Sequence, residues 1–282
     1  MWPQKGHPFL SSYLELIDRS YGATATPLDY ASDKDGACKT INGWVDGKTQ
    51  HKITNLIAPL TVSAETQMIL VNAIYFRGRW ADDFQPRLTT EQEFHVTPNQ
   101  TAKCQMMCNT DRFPYAEDDE VQVLGLPYAG NDIVMLVILP RKVDGIGALE
   151  RGLSPQKLVL WEGNLRGNEV RVHLPKFKIT SSFSLANALT SMGITLAFSK
   201  DADFSGMDGR QKGLAISAVI HKEYVDVNEE GTEAAAATAV QMMEGAMYHP
   251  KELVFTANYP FLFLIAEKRT GSMLFFGRVT KP

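Results

Sequence analysis

Residues 229–251, EEGTEAAAATAVQMMEGAMYHPK, separate two runs that read as strands, 214–227 and 259–265, and any fold must find a place for them. On propensity alone, Ala234, Ala235, Ala236 and Ala237 favour a surface helix. Read at period two, Thr232, Ala234, Ala236, Thr238 and Val240 share one face and Glu233 lies on the other. That first face carries no charge and no bulky side chain, so an extended segment would slide between strands with little steric resistance. Gly231 supplies backbone freedom at its base. Residues 241–249 are mixed in character and have Gly245-Ala246 near their middle, as in an exposed loop. Helix and insertable strand are both open readings of this segment.

The remainder of the chain is helical at first and then sheet-rich. Phe9, Leu10, Tyr13, Leu14, Leu16 and Ile17 recur at helical spacing within residues 8–21, with Gly22 as a C-terminal stop. A second helix is expected over residues 37–50, where Ile41, Trp44, Val45 and Lys48 recur and Gly43 and Gly47 weaken the pattern. Residues 67–76, QMILVNAIYF, predict a strand buried on both faces, with Asn72 a buried amide in need of partners. Beyond Trp80, apolar runs at 94–96, 121–126, 133–139 and 170–174 alternate with Gly, Pro, Asn and Asp turns. Helical spacing returns at 184–193, and strands are expected at 214–227, 259–265 and 273–276. No repeat, low-complexity tract or linker interrupts the chain, which predicts one α+β domain over residues 1–282.

Composition removes several functional classes. With 28 Lys+Arg against 32 Asp+Glu the net charge is -4, which argues against nucleic acid or an anionic membrane as partner. The longest apolar run, residues 133–139, falls far short of the roughly 20 residues that span a bilayer. The three cysteines, Cys38, Cys104 and Cys108, read as thiols, and their spacing makes no zinc site, so no metal or cofactor is expected. No nucleophile elbow, His-Glu-x-x-His, phosphate loop or dinucleotide fingerprint occurs, and the six histidines are scattered, so an enzyme is not expected. The Asn99-Gln100-Thr101 triplet is a glycosylation sequon, too common by chance to decide anything.

Three separated motifs carry a family resemblance. Leu70-Val71-Asn72-Ala73-Ile74-Tyr75-Phe76-Arg77-Gly78-Arg79-Trp80 is similar to the central strand and tryptophan turn of serpins. Glu229-Glu230-Gly231-Thr232-Glu233-Ala234-Ala235-Ala236-Ala237-Thr238 resembles their proximal hinge. Residues 258–265, NYPFLFLI, with Gly271 and residues 274–279, LFFGRV, resemble their C-terminal signature, with Tyr259 where a basic or polar residue is usual. The resemblance implies the serpin fold: large mixed and antiparallel sheets with surrounding helices. Met1-Trp2 matches a strand inside the family domain, which implies that the family's N-terminal helices are lacking, including the one whose hydroxyls serve Asn72 and His221.

The resemblance further implies a monomeric inhibitor that forms a covalent acyl complex with a target serine protease and then inserts its cut loop, residues 229–251, into the main sheet, the alternatives being a non-inhibitory serpin-like binding protein or an inactive truncated fragment. Gly231 matches the hinge glycine and Thr232 the first inserting residue; Ala234, Ala236 and Thr238 follow on the same face. Glu229 matches the hinge acid and Lys176 the lysine paired with it, the plain alternative for Lys176 being a solvated surface residue. Trp80 matches the tryptophan beneath that pair, with core packing as its alternative, and Asn72 and His221 match a polar pair where strands part. Family spacing from Gly231 places the scissile bond at Gly245-Ala246, with bonds after Met243, Glu244 and Met247 as alternatives. No Arg or Lys lies between Gly231 and Pro250, which disfavours a trypsin-like target and points to elastase-, subtilisin- or chymotrypsin-like ones. An extracellular or periplasmic setting follows from family habit.

Overall fold

Ala37, Cys38, Ile41 and Val45 form one apolar stripe, and in the computed structural model they are the buried side of a helix, Lys34–Lys48. The structure describes residues 1–232 and 252–282. In chain order the first elements are β1 (Trp2–Pro3), α1 (Ser11–Tyr21), α2 (Lys34–Lys48), β2 (Met68–Tyr75), β3 (Gly78–Arg79), β4 (Thr90–Thr97), β5 (Gln100–Glu117), β6 (Val121–Pro127), β7 (Ile133–Pro140), α3 (Ile146–Gly152) and α4 (Pro155–Asn164). There follow β8 (Arg166–Pro175), β9 (Phe177–Ser184), α5 (Ala186–Ser191), α6 (Ser205–Asp208), β10 (Ala218–Asn228), β11 (Gly231–Thr232), β12 (Leu253–Thr256), β13 (Phe261–Glu267) and β14 (Met273–Val279). The chain divides into two compact units, Met1–Tyr75 with Ile179–Tyr224, and Phe76–Lys178 with Val225–Pro282.

In the first unit β2 is the hub. It pairs antiparallel with β1 and parallel with β10, from Ala218↔Ile69 to Tyr224↔Tyr75. Ile69, Val71, Ala73 and Tyr75 point to one face, and that face meets the α2 stripe together with Trp2, Tyr30, Ile53 and Ile57. The Tyr30 hydroxyl donates to the Trp2 carbonyl at 2.9 Å inside this core. Asp33 caps α2 by accepting from the Gly36 amide at 2.8 Å, so the helix starts three residues earlier than apolar spacing predicts. α1 ends at Gly22 in the left-handed region, as its sequence predicts.

The second unit holds an antiparallel meander, β5–β6–β7–β13–β14, extended on its other side by β8 and the edge strand β12. α3 and α4 cover Val121, Val123, Ile138 and Leu262 with Leu149 and Trp161. Trp161 keeps its indole N–H satisfied by donating to Asp118 Oδ2 at 2.9 Å. Ser154 caps α4, with Pro155 in its first turn. No helix among the described residues is long and apolar enough to cross a membrane.

Two expectations need correction. β2 is not buried on both faces along its length: on the face away from α2 Met68 is buried, Leu70 and Ile74 are half-buried, and Asn72 is exposed. The reading of residues 67–76 rested on hydrophobicity without regard to which face has a covering element. Residues 214–217 precede rather than belong to the strand, which starts at Ala218. All three cysteines are free thiols, and burial pushes each of them up from its ordinary ionisation range.

Candidate functional site

The end of β10 turns at Glu229-Glu230 and the chain comes back as β11, antiparallel to the strand it has just left, with Val227↔Thr232 and Asn228↔Gly231 in register. On its other edge β11 is antiparallel to β3, with Gly231↔Arg79 and Thr232↔Gly78. The start of the loop segment is thus a strand wedged between two others. Gly231 has φ +141°, and a Cβ there would lie 2.1 Å from the Gly78 carbonyl oxygen and 2.7 Å from Arg79 Cα. Both the backbone conformation and the space demand glycine.

Thr232 is 0% exposed, and its hydroxyl lies 2.7 Å from the phenol oxygen of Tyr128. Burial pushes the Tyr128 phenol far up, so it stays protonated at any ordinary pH. Trp80 closes the site from the side of β3. Its backbone N–H donates to the Glu230 carbonyl at 2.9 Å, its indole N–H donates to the Asn228 carbonyl at 3.0 Å, and its ring stacks on Tyr128 at 4.6 Å. Core packing and the role implied by the resemblance are therefore compatible for Trp80, which is 2% exposed.

Glu229 carries the charge of this corner. Its carboxylate meets the Lys176 ammonium at 2.8 Å, accepts from the Thr89 hydroxyl at 2.9 Å, and its carbonyl accepts from the Phe84 amide. Burial pushes the Glu229 carboxyl up, but the Lys176 ammonium, its own backbone N–H and the Thr89 hydroxyl outweigh this and hold it below its ordinary value. Lys176 makes this pair from the surface, with 39% of its side chain open to water against 12% for Glu229. An ion pair so placed contributes about 1 kcal/mol or less.

Asn72 and His221 lie in the first unit and are Cα partners in the parallel pairing of β2 with β10. His221 Nε2 meets Glu223 Oε1 at 2.7 Å and its ring stacks on Phe183, while Asn72 is exposed. The two residues lie side by side, Asn72 is not the buried amide expected of it, and the imidazole bonds along its own strand. Ala234, Ala236, Thr238, Met243, Glu244, Gly245, Ala246 and Met247 lie outside the described residues. Among the described residues no cluster of His, Cys, Asp and Glu is arranged to hold a metal ion. Sequence reasoning missed Tyr128 and Thr89, which contact Thr232 and Glu229 from 104 and 140 residues away and carry no local signal of it.

Residues 1–282 match the family described as Serpin (serine protease inhibitor). The chain belongs to the serpin family. It is 40% identical over 286 residues to Serpin B3 of Homo sapiens, covering 100% of this chain and 73% of that one. It is 40% identical over 290 residues to the leukocyte elastase inhibitor of Bos taurus, covering 100% and 76%. Among solved structures, human thyroxine-binding globulin complexed with thyroxine superposes with a TM-score of 0.90 at 30% identity, over 100% of this chain and 73% of that one. The α+β architecture expected from the sequence is the serpin fold.

Proposed function

We propose that this chain inhibits a serine protease by presenting residues 229–251 as bait and inserting the cut loop into its sheet. The observation that carries the reading is β11: Gly231–Thr232 lies between β10 and β3, at the base of the small-residue face. The protease serine Oγ attacks the Gly245 carbonyl carbon and the C–N bond to Ala246 breaks. The Ala246 nitrogen leaves with a proton, and Gly245 stays on the serine as an ester. Thr232, Ala234, Ala236 and Thr238 then enter the sheet in succession. Each added ladder bond contributes about 0.5–1.5 kcal/mol. Hydrolysis of the ester needs an ordered oxyanion hole and an oriented water, so dragging the protease away from that geometry stops it.

The absence of Arg and Lys between Gly231 and Pro250 supports an elastase-, subtilisin- or chymotrypsin-like target, and so does similarity to proteins named leukocyte elastase inhibitor. The match running through residues 1–282 supports taking the chain as one domain. The test is incubation with elastase, subtilisin, chymotrypsin and trypsin in turn, read by denaturing gels and intact mass. A denaturant-resistant complex with release of a peptide starting at Ala246 is the expected result. Clean cleavage near Gly245 with no complex overturns it. That outcome would favour a second reading, a binding protein on the same fold, for which the likeness to thyroxine-binding globulin speaks.

A further inference from the structure

The buried contact to Thr232 comes from a residue that no hinge motif contains. Tyr128 follows β6 and opens the turn into β7, where its amide donates to the Ile133 carbonyl at 3.0 Å and its carbonyl accepts from the Asn131 amide at 2.9 Å. It forms an isolated bridge with Trp80. Its ring is held on three sides: face to face with Trp80 at 4.6 Å, edge-on to Phe76 at 5.0 Å, and against Gly78, where a Cβ would stand 2.7 Å from the ring. Tyr128 is 2% exposed and its ring has no room to follow a moving strand. Its hydroxyl is a fixed point, and the only part of the contact free to leave is Thr232.

We propose that Tyr128 is the positioning residue that seats the start of the loop, its hydroxyl pairing with that of Thr232 so that insertion begins from an engaged strand rather than from solvent. The two hydroxyls satisfy each other in a buried site, so withdrawal of Thr232 strands a polar group on Tyr128. Removing either hydroxyl alone therefore costs more than removing both. The kinetic part of the proposal rests on the inhibitory reading above: a seated Thr232 shortens the insertion that must outrun hydrolysis.

The experiment compares Tyr128→Phe, Thr232→Val, the double variant and Thr232→Ser with the unaltered chain. Hydrogen exchange by mass spectrometry is read on peptides spanning residues 226–232, and the ratio of cleaved chain to protease complex is read on gels. Tyr128→Phe is expected to speed exchange at β11 by about fivefold or more, and to raise the cleaved-to-complex ratio with the rate of loop cleavage unchanged. The double variant should recover most of the loss, and Thr232→Ser, which keeps the hydroxyl, should behave as the unaltered chain. Unchanged exchange in Tyr128→Phe, or losses that simply add in the double variant, overturns the proposal. If the unaltered chain forms no complex with any protease, the inhibitory reading falls, while the exchange comparison still decides the role of Tyr128.

Discussion

Gly231 is the position in β11 where a single methyl group would be felt most. Its φ of +141° is costly for any other residue, about 1–3 kcal/mol, and the Gly78 carbonyl leaves a Cβ no space. Gly231→Ala is expected to drive β11 out of its slot while the rest of the second unit stays folded. Faster hydrogen exchange confined to residues 229–232, with an unchanged denaturation midpoint, would verify this. Glu229 adds a pH dependence whose sign follows from its depressed ionisation. A carboxyl held below its unfolded value of 4.5 contributes stability above that value, and the contribution is lost as pH falls through the lower, folded one. Glu229→Gln should therefore lower stability by about 1 kcal/mol at neutral pH and make no difference at acid pH, as followed by urea denaturation at both.

At the scale of elements, α2 offers the sharpest contrast between a core contact and a cap. Ile41 is fully buried against β2 and β10, so Ile41→Ala should cost about 2–5 kcal/mol. Asp33→Ala removes only the N-cap bond to Gly36, and about 1 kcal/mol is expected. Denaturant titrations of the two variants should differ accordingly. The same helix marks the limits of what the sequence discloses. Its apolar stripe at Ile41 and Val45 was legible from spacing, while its first turn was set by Asp33, a capping residue outside that stripe. β2 was legible as a strand from its β-branched residues, yet the exposure of Asn72 depends on where α2 packs, which local pattern cannot convey. The corner around β11 was legible in part: Glu229, Gly231, Thr232 and Lys176 are singled out by motif, whereas Tyr128 comes to Thr232 from the β6–β7 turn.

For the molecule as a whole, insertion predicts a change that no single contact would produce. A cut loop that fills the sheet adds a ladder of hydrogen bonds on both edges, and their sum far exceeds any one of them. Chain nicked at Gly245 by a protease that is then removed should unfold at a clearly higher guanidinium concentration than intact chain, and an equal midpoint for the two would count against insertion. The free thiols bear on how such changes can be watched. Because burial holds Cys38, Cys104 and Cys108 above their ordinary ionisation range, little reactive thiolate is present near neutral pH. The unaltered protein is in effect its own blank for fluorescent tagging: a cysteine introduced at Leu60, which is fully exposed, should take up a maleimide dye well before the native three, giving one adduct by intact mass.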